Sequence, residues 1–230
     1  MSAAEFDEFA ESYDADLNQA LSATGETKEF FARQRIEWLA RCLRTFRGPK
    51  QSILDYGCGI GDSSVVLREV LQVTSYVGLD VSPRSLKRAS ATFGSADVRF
   101  FQFSEYLPQG CLDLAYCSGV FHHILVGERM AVVNYILGCL RPGGIFAFWE
   151  NNPWNPGTRY VMDKCAFDRD ALKVSPPEAI RLLRDGGFQF LGVTYQMFFP
   201  KALGALRFLD PLLSRVPLGG QYQVLARKPG

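Results

Sequence analysis

The 230-residue sequence has no run of about 18 consecutive apolar residues, so it offers no segment built to cross a membrane as a helix. It has no block of like charges. Its 25 basic and 24 acidic side chains leave a formal net charge of +1. A balance so near neutral argues against a broad basic face for nucleic acid. Six cysteines, Cys42, Cys58, Cys111, Cys117, Cys139 and Cys165, are scattered with no CxxC pair. That spacing excludes a zinc ribbon and points to thiols in a reducing compartment rather than a disulfide frame. Histidine is scarcer still, with only His122 and His123, side by side. No metal-ligand set and no internal repeat is evident. The opening MSAAEFDEFAESYDAD is acidic and lacks the basic-then-apolar build of a secretory signal. The expectation is a cytoplasmic protein.

What the sequence does have is apolar material. Hydrophobic residues make up 47% and charged residues 21%, enough to bury a sizeable core. The length fits a single domain over 1–230. Short β-rich runs alternate with helical stretches, the pattern of βαβ units and a parallel sheet. Strands are expected at 52–56, 75–80, 98–103, 111–117 and 145–150. Helices are expected at 6–22, 27–46, 62–72, about 83–92, 127–140 and 175–185. Asp62 or Ser63 is a plausible cap for the third helix, and Arg141-Pro142-Gly143-Gly144 reads as a stop before the fifth strand. Two late β-rich runs, 188–199 and 221–227, flank an apolar stretch at 200–218. The bland reading of that stretch is a core connection; the sharper one is an acceptor wall, a dimer contact or a membrane-touching surface.

The most informative segment is Ile53-Leu54-Asp55-Tyr56-Gly57-Cys58-Gly59-Ile60-Gly61. Alternating glycines follow an apolar strand and precede a helix. Such a turn lets a ligand approach the backbone closely, at the carboxyl end of a strand where open α/β sheets bind ligands. Nineteen residues after Gly61, at the end of the next strand, stands Asp80. A carboxylate there can accept both hydroxyls of a ribose; it can also cap the helix that follows. A nicotinamide fingerprint would read GxGxxG. Here the third glycine position holds Asp62, whose charge would repel a pyrophosphate at a helix N-terminus.

ILDYGCGIG, then VGLDVSP, then LDLAYCSGVFHHI, then LRPGG resembles the class I S-adenosylmethionine-dependent methyltransferases, with the four blocks in family order across about 50–150. The resemblance implies a Rossmann-like, doubly wound seven-stranded sheet. It would be mostly parallel, with an antiparallel last strand and an N-terminal helical lid. It divides the chain into a helical cap at 1–48, a cofactor-binding core at 50–150, and an acceptor-side insertion with the last strands at 151–230. The implied cofactor is S-adenosyl-L-methionine, leaving as S-adenosyl-L-homocysteine. Asp55 would approach the methionine amino group. Gly57, Cys58 and Gly59 would present backbone to the methionine and ribose. Val81 would pack on the adenine, and Ser118 and Gly119 would close the floor near the methionine. Tyr13 of the lid would touch the cofactor. In many relatives the third strand ends in Gly-Asp-Ala; here Gln102-Phe103-Ser104-Glu105 departs from it. Adenine recognition would then rest on stacking by Phe103 and on the Ser104 backbone.

The acceptor side is read from residue chemistry. His122 and His123 follow the fourth strand, and a neutral imidazole can take a proton from a hydroxyl or amine. Neighbouring side chains are expected to point apart, so one of the two would serve while the other caps or packs. Glu150, Asn151, Asn152 and Trp154 form a dense polar and aromatic set at the end of the fifth strand. They are candidates for acceptor binding, against a proline-stiffened turn that satisfies its own backbone. Arg33 and Arg35 could reach the methionine carboxylate, and Arg159 and Lys164 an anionic acceptor; all four also suit a solvated surface. The expected activity is methyl transfer to a small-molecule acceptor at oxygen, with no nucleic acid and no integral membrane segment. The alternatives are a non-catalytic binder of the same cofactor and a nicotinamide-dependent oxidoreductase.

Overall fold

A computed structural model describes residues 21–46, 51–165, 168 and 171–230. Tyr13 and nearly all of the expected first helix lie outside the described residues. The elements run α1 (Lys28–Leu43), β1 (Ser52–Tyr56), α2 (Ser63–Leu71), β2 (Ser75–Asp80), α3 (Pro83–Phe93), β3 (Val98–Gln102), β4 (Leu112–Ser118) and α4 (Arg129–Cys139). They continue with β5 (Leu140–Asn151), α5 (Pro156–Lys164), α6 (Pro176–Asp185), β6 (Gln189–Gln196), a 3-10 stretch (Lys201–Leu209), α7 (Asp210–Leu213) and β7 (Gln221–Arg227). Among the described residues, no helix is long and apolar enough to cross a membrane.

The seven strands form one sheet in the order β3-β2-β1-β4-β5-β7-β6. β1 pairs in parallel with β2 and with β4, and β5 with β4. β7 runs antiparallel to both β5 and β6. The inner strands are buried on both faces, as parallel strands covered by helices must be. Alternate residues therefore feed two different cores. On β4, Leu114 and Tyr116 join α1 and α2 on one face, through Ile36, Leu39 and Leu67. Ala115 and Cys117 join α4 and α6 on the other, through Val133, Ile136, Ala179 and Leu183. The chain builds outward from β1 through β3, then returns to the far side of β1 as β4. That reversal opens a crevice at the carboxyl ends of β1 and β4.

Three local expectations are corrected. Asp62 stands at the N-cap of α2 without making a cap bond, because its carboxylate pairs with Lys28 of α1. Ser82 caps α3 by accepting the Ser85 N–H at 3.1 Å, so Asp80 is released for other work. Arg141-Pro142-Gly143-Gly144 does not precede β5 but lies within it. The strand starts at Leu140 and shifts register between Leu112 and Leu114 of β4.

The opposite end of the sheet is closed by Asp113. Its Oδ2 accepts the N–H groups of Gln51 (2.9 Å) and Ser52 (3.0 Å) and the Ser52 hydroxyl (3.0 Å). Its Oδ1 accepts Arg141 Nε at 2.6 Å, so one carboxylate staples the starts of β1, β4 and β5. Burial opposes its charge, but Arg141 and the donors from Ser52 and Gln51 hold its pKa below the usual carboxylate value. Asp113→Ala leaves these donors without their acceptor, and we expect a loss of about 2–4 kcal/mol of stability at pH 7, measured by denaturant unfolding. A depressed folded-state pKa stabilises above the unfolded value and is lost as the pH falls through the folded one. The gap between wild type and variant should therefore narrow below about pH 4. A gap independent of pH would contradict the staple.

Candidate active site

The glycine loop is tied to β2. The N–H groups of Gly57 and Cys58 both donate to Leu79 O, at 2.7 and 3.0 Å. Gly57 has φ +77°, and a Cβ there would lie 2.3 Å from Val120 Cγ2. Gly59, at φ +54°, has nothing within 4 Å of its Cβ position, so its backbone faces open space. That space is a cavity of about 740 Å³. Asp80 stands on its wall and fixes the loop: Oδ2 accepts the Gly59 N–H at 2.8 Å and Oδ1 the Ser82 N–H at 2.9 Å.

Asp55, Cys58 and Val81 also line this cavity. Asp55 is 3% exposed, and Tyr76 donates its hydroxyl to Asp55 Oδ2 at 2.7 Å. Burial pushes the Asp55 carboxyl up to about 7, further helped by the Asp80 charge and opposed by Tyr76. Burial likewise pushes the Cys58 thiol well up, which rules it out as a nucleophile near neutral pH. Phe103 lines the cavity stacked on Tyr56, ring centroids 4.4 Å apart. Ser104 is exposed and is not among the described residues of the lining. These carboxylate acceptors and rings suit a ligand with a cationic group, hydroxyls and a flat ring. Asp55, Asp80 and the Tyr56–Phe103 pair offer those three kinds of contact.

A second cavity, of about 480 Å³, opens on the other side of the β4 end. Phe30 and Phe31 of α1, Tyr160 and Met162 of α5, and Phe198 and Phe199 form much of its wall. Five residues line both cavities: Lys28, Arg35, Ser118, Gly119 and His123. Arg35 reaches inward, with Nε donating to the Tyr116 hydroxyl at 3.3 Å and Nη1 to Gln221 Oε1 at 3.1 Å. Arg33 turns outward, to Glu69 at 3.1 Å and Glu37 at 3.8 Å.

The two histidines do not diverge. They sit in a 3-10 turn, Phe121–His123, with ring centroids 4.1 Å apart. Both reach one oxygen of Asp168, His122 Nε2 at 3.1 Å and His123 Nε2 at 3.3 Å. The other nitrogen of His122, Nδ1, lies 2.6 Å from Glu150 Oε2. Burial opposes a charge on His122, but Glu150 and Asp168 overcome it and push its pKa up to about 10. At neutral pH both its nitrogens are donors. Burial lowers the pKa of His123, with the charged His122 beside it acting the same way against Asp168. Asp168 is held well below the usual carboxylate range by hydrogen bonds from both rings, although burial works against it. The donor atoms of His122, His123 and Asp168 all lie within 4.8 Å of one another, a spacing a metal ion would also accept. Here the His122 protons bridge the carboxylates.

The set at the end of β5 is divided. Glu150 faces inward, and its Oε1 also accepts the Phe121 N–H at 2.8 Å. Asn152 is fully buried: its Nδ2 donates to Pro217 O (3.2 Å) and Gly219 O (2.8 Å), and its Oδ1 accepts the Trp154 N–H (3.1 Å). Trp154 is 46% exposed and is not among the described residues lining either cavity. The expectation that Asn152 and Trp154 meet the acceptor is thus corrected: the turn satisfies its own backbone. Asn151 does line the second cavity, where its Oδ1 accepts Gln221 Nε2 at 3.1 Å. Asn155, not singled out from the sequence, lines it too and caps α5 through Thr158 N–H at 2.9 Å. Arg159 and Lys164 are exposed. Asp168, Tyr56 and the Phe30–Phe31 pair are further lining residues that the sequence does not mark as part of a site. Their residue types carry no local signal beyond that of an ordinary core or surface position.

Residues 54–146 match the family model described as a methyltransferase domain. An uncharacterised methyltransferase of Synechocystis is 34% identical over 43% of this chain and 46% of its own length. A trans-aconitate 2-methyltransferase of Methylobacterium radiotolerans is 29% identical over 58% of this chain and 48% of its own. The chain thus spans about half the length of these relatives. The crystal structure of an S-adenosylmethionine-dependent methyltransferase from Mesorhizobium loti shares the fold, with a TM-score of 0.59. It is 23% identical, over 84% of this chain and 98% of that one. The strand order with its reversed β7, and a matched domain that starts in β1 and ends in β5, agree from two sides: residues 54–146 are similar to a methyltransferase domain, on a fold shared with S-adenosylmethionine-dependent methyltransferases.

Proposed function

We propose that the protein transfers the methyl group of S-adenosylmethionine to an oxygen of a small-molecule acceptor, with His123 taking the acceptor's proton. The observation that carries this reading is the shared wall. Ser118, Gly119 and His123 border both cavities, so a donor in the larger one and an acceptor in the smaller one would meet there. The cofactor, when bound, supplies a methyl group on a positively charged sulfur, and its chemistry is its own. The protein's part is alignment and handling of charge. Asp55 would hold the ammonium end, Asp80 the ribose hydroxyls, and Phe103 with Tyr56 the adenine face. The relative named for trans-aconitate, a small carboxylate, supports an oxygen acceptor of modest size.

The two histidines have different duties in this reading. His123 borders both cavities and is kept neutral by burial, the state a base requires. His122 is charged, and its two donors grip Glu150 and Asp168. It positions the turn that carries His123. Arg35, on the shared wall, suits an acceptor with negative charge.

Calorimetric titration tests the cofactor half. Asp80→Ala should weaken S-adenosylhomocysteine binding about tenfold or more, as loss of a charged hydrogen-bond partner does. Equal affinities in a folded variant would refute the role. Because the Asp55 pKa is raised to about 7, pairing with an ammonium should draw out part of a proton near neutrality. S-adenosylmethionine affinity should then rise from about pH 6 to about pH 8, with proton release visible in buffers of different ionisation enthalpy.

The histidine assignment is tested by contrast. His123→Asn should cut S-adenosylhomocysteine formation in a mixed metabolite extract about 10²–10⁴-fold while leaving cofactor affinity unchanged. His122→Asn should instead destabilise the fold by about 3–5 kcal/mol, because it leaves two buried carboxylates without their cation. A raised folded-state pKa gives stability that is full below the unfolded value and is lost as the pH rises through the folded one. Wild-type stability should therefore fall from about pH 6.5 to about pH 10, a slope the His122→Asn variant lacks. If instead His123→Asn keeps full turnover, the proton goes elsewhere.

A further inference from the structure

The 201–218 segment is held firmly from beneath. Tyr195 N–H donates to Ser214 O at 2.8 Å, and Arg207 Nε donates to Phe199 O at 3.2 Å. The Arg207 guanidinium lies 4.5 Å over the Phe30 ring and 2.8 Å from Glu26. Asn155 Nδ2 donates to Leu218 O at 2.6 Å, joining the segment to the start of α5. Yet no residue of the 3-10 stretch or of α7 is buried.

What this anchored segment turns outward is apolar. Leu203, Leu206, Phe208, Leu212, Val216 and Leu218 are all exposed, Phe208 by 72% and Leu212 by 78%. Next to Asn155 in the chain Trp154 is exposed, and so is Tyr160 on α5, which also lines the second cavity. The charges set among these residues are mainly positive. Lys201 and Arg215 are exposed within the segment, and Arg159 and Lys164 on and near α5. Within 200–218 the one acid is Asp210, which is partly buried against the cavity wall. Asp163 on α5 is engaged by Lys173 at 3.5 Å. Exposed apolar side chains accompanied along the same segments by exposed cations and aromatic rings suit a lipid surface, whose headgroups are anionic above an apolar interior.

We infer that the 201–218 ledge seats this protein on an anionic bilayer surface. The other side of the same segment, with Met197–Pro200 and Arg207, walls the acceptor cavity. A protein seated this way presents that cavity beside the lipid, where an amphiphilic acceptor would be concentrated. The contact is interfacial and reversible, a few side chains deep, and needs no spanning helix.

The binding test needs neither cofactor nor turnover, so its result is independent of the methyl-transfer reading. The full chain is co-sedimented with phosphatidylcholine vesicles, with and without about 30 mol % phosphatidylglycerol, in about 0.1 M salt. Wild type should pellet with the anionic vesicles and be released as salt is raised. Phe208→Ser with Leu212→Ser, and separately Lys201→Glu with Arg215→Glu, should each lower the partition coefficient about tenfold or more. All four positions are exposed, so circular dichroism and S-adenosylhomocysteine affinity should match wild type. Three outcomes would overturn the inference. Wild type does not bind the anionic vesicles. Both double variants bind as well as wild type. Light scattering shows a dimer that Phe208→Ser with Leu212→Ser converts to monomer, which makes the ledge a contact between two copies.

Discussion

Two carboxylates buried near one another repel each other and resist desolvation, so both keep their charge only beside a cation. In this protein the cation is the His122 imidazolium, between Glu150 and Asp168. Glu150 belongs to the end of β5, His122 to the turn after β4, and Asp168 to the chain beyond α5. One ring therefore ties together three segments that line the second cavity. Backbone follows the same path: Leu172 N–H donates to His122 O at 2.8 Å, and Arg129 Nη2 donates to Leu172 O at 2.6 Å. The neighbouring His123 inherits its position from this knot. Its lowered basicity follows from burial and from the positive ring beside it. Two adjacent residues of one type thus titrate on opposite sides of neutrality.

The larger cavity is organised by different contacts. There the backbone does most of the shaping, through glycines at positive φ and N–H groups donated to Leu79 O and to Asp80. Such a loop is stiff without bulky side chains and leaves room for a ligand to approach. The second cavity is shaped by large side chains from α1, α5 and the 197–200 segment. Side-chain walls can change while the backbone cradle stays, which is why one fold serves many acceptors. Lys28 and Arg35 of α1 border both cavities, so this helix shapes the two together.

Much of the architecture was legible in the sequence, and some of the site was not. β1, β2 and β7 fall where apolar runs and turn signals put them, because strand formation here reflects burial on both faces of a covered sheet. The start of β5 was misread. Pro-Gly-Gly is a local stop signal, but the register shift against β4 accommodates it inside the strand. Asn152 and Trp154 looked like binding residues by type. Asn152 is instead committed to the Pro217 and Gly219 carbonyls, on a segment more than sixty residues away.

The sequence alone determined the alternating order of elements, the glycine loop and the acid that follows it at the end of β2. These are properties of neighbours along the chain, where spacing and residue type decide the conformation. Only the tertiary structure decided which charges meet. Arg35 and Arg33 are two residues apart, yet one turns into the site toward Gln221 and the other to Glu69 on the surface. Asp168 meets His122 across a separation of 46 residues. Protonation and hence chemical role follow from such meetings, because a pKa depends on burial and nearby charge, and neither is a local property of the chain.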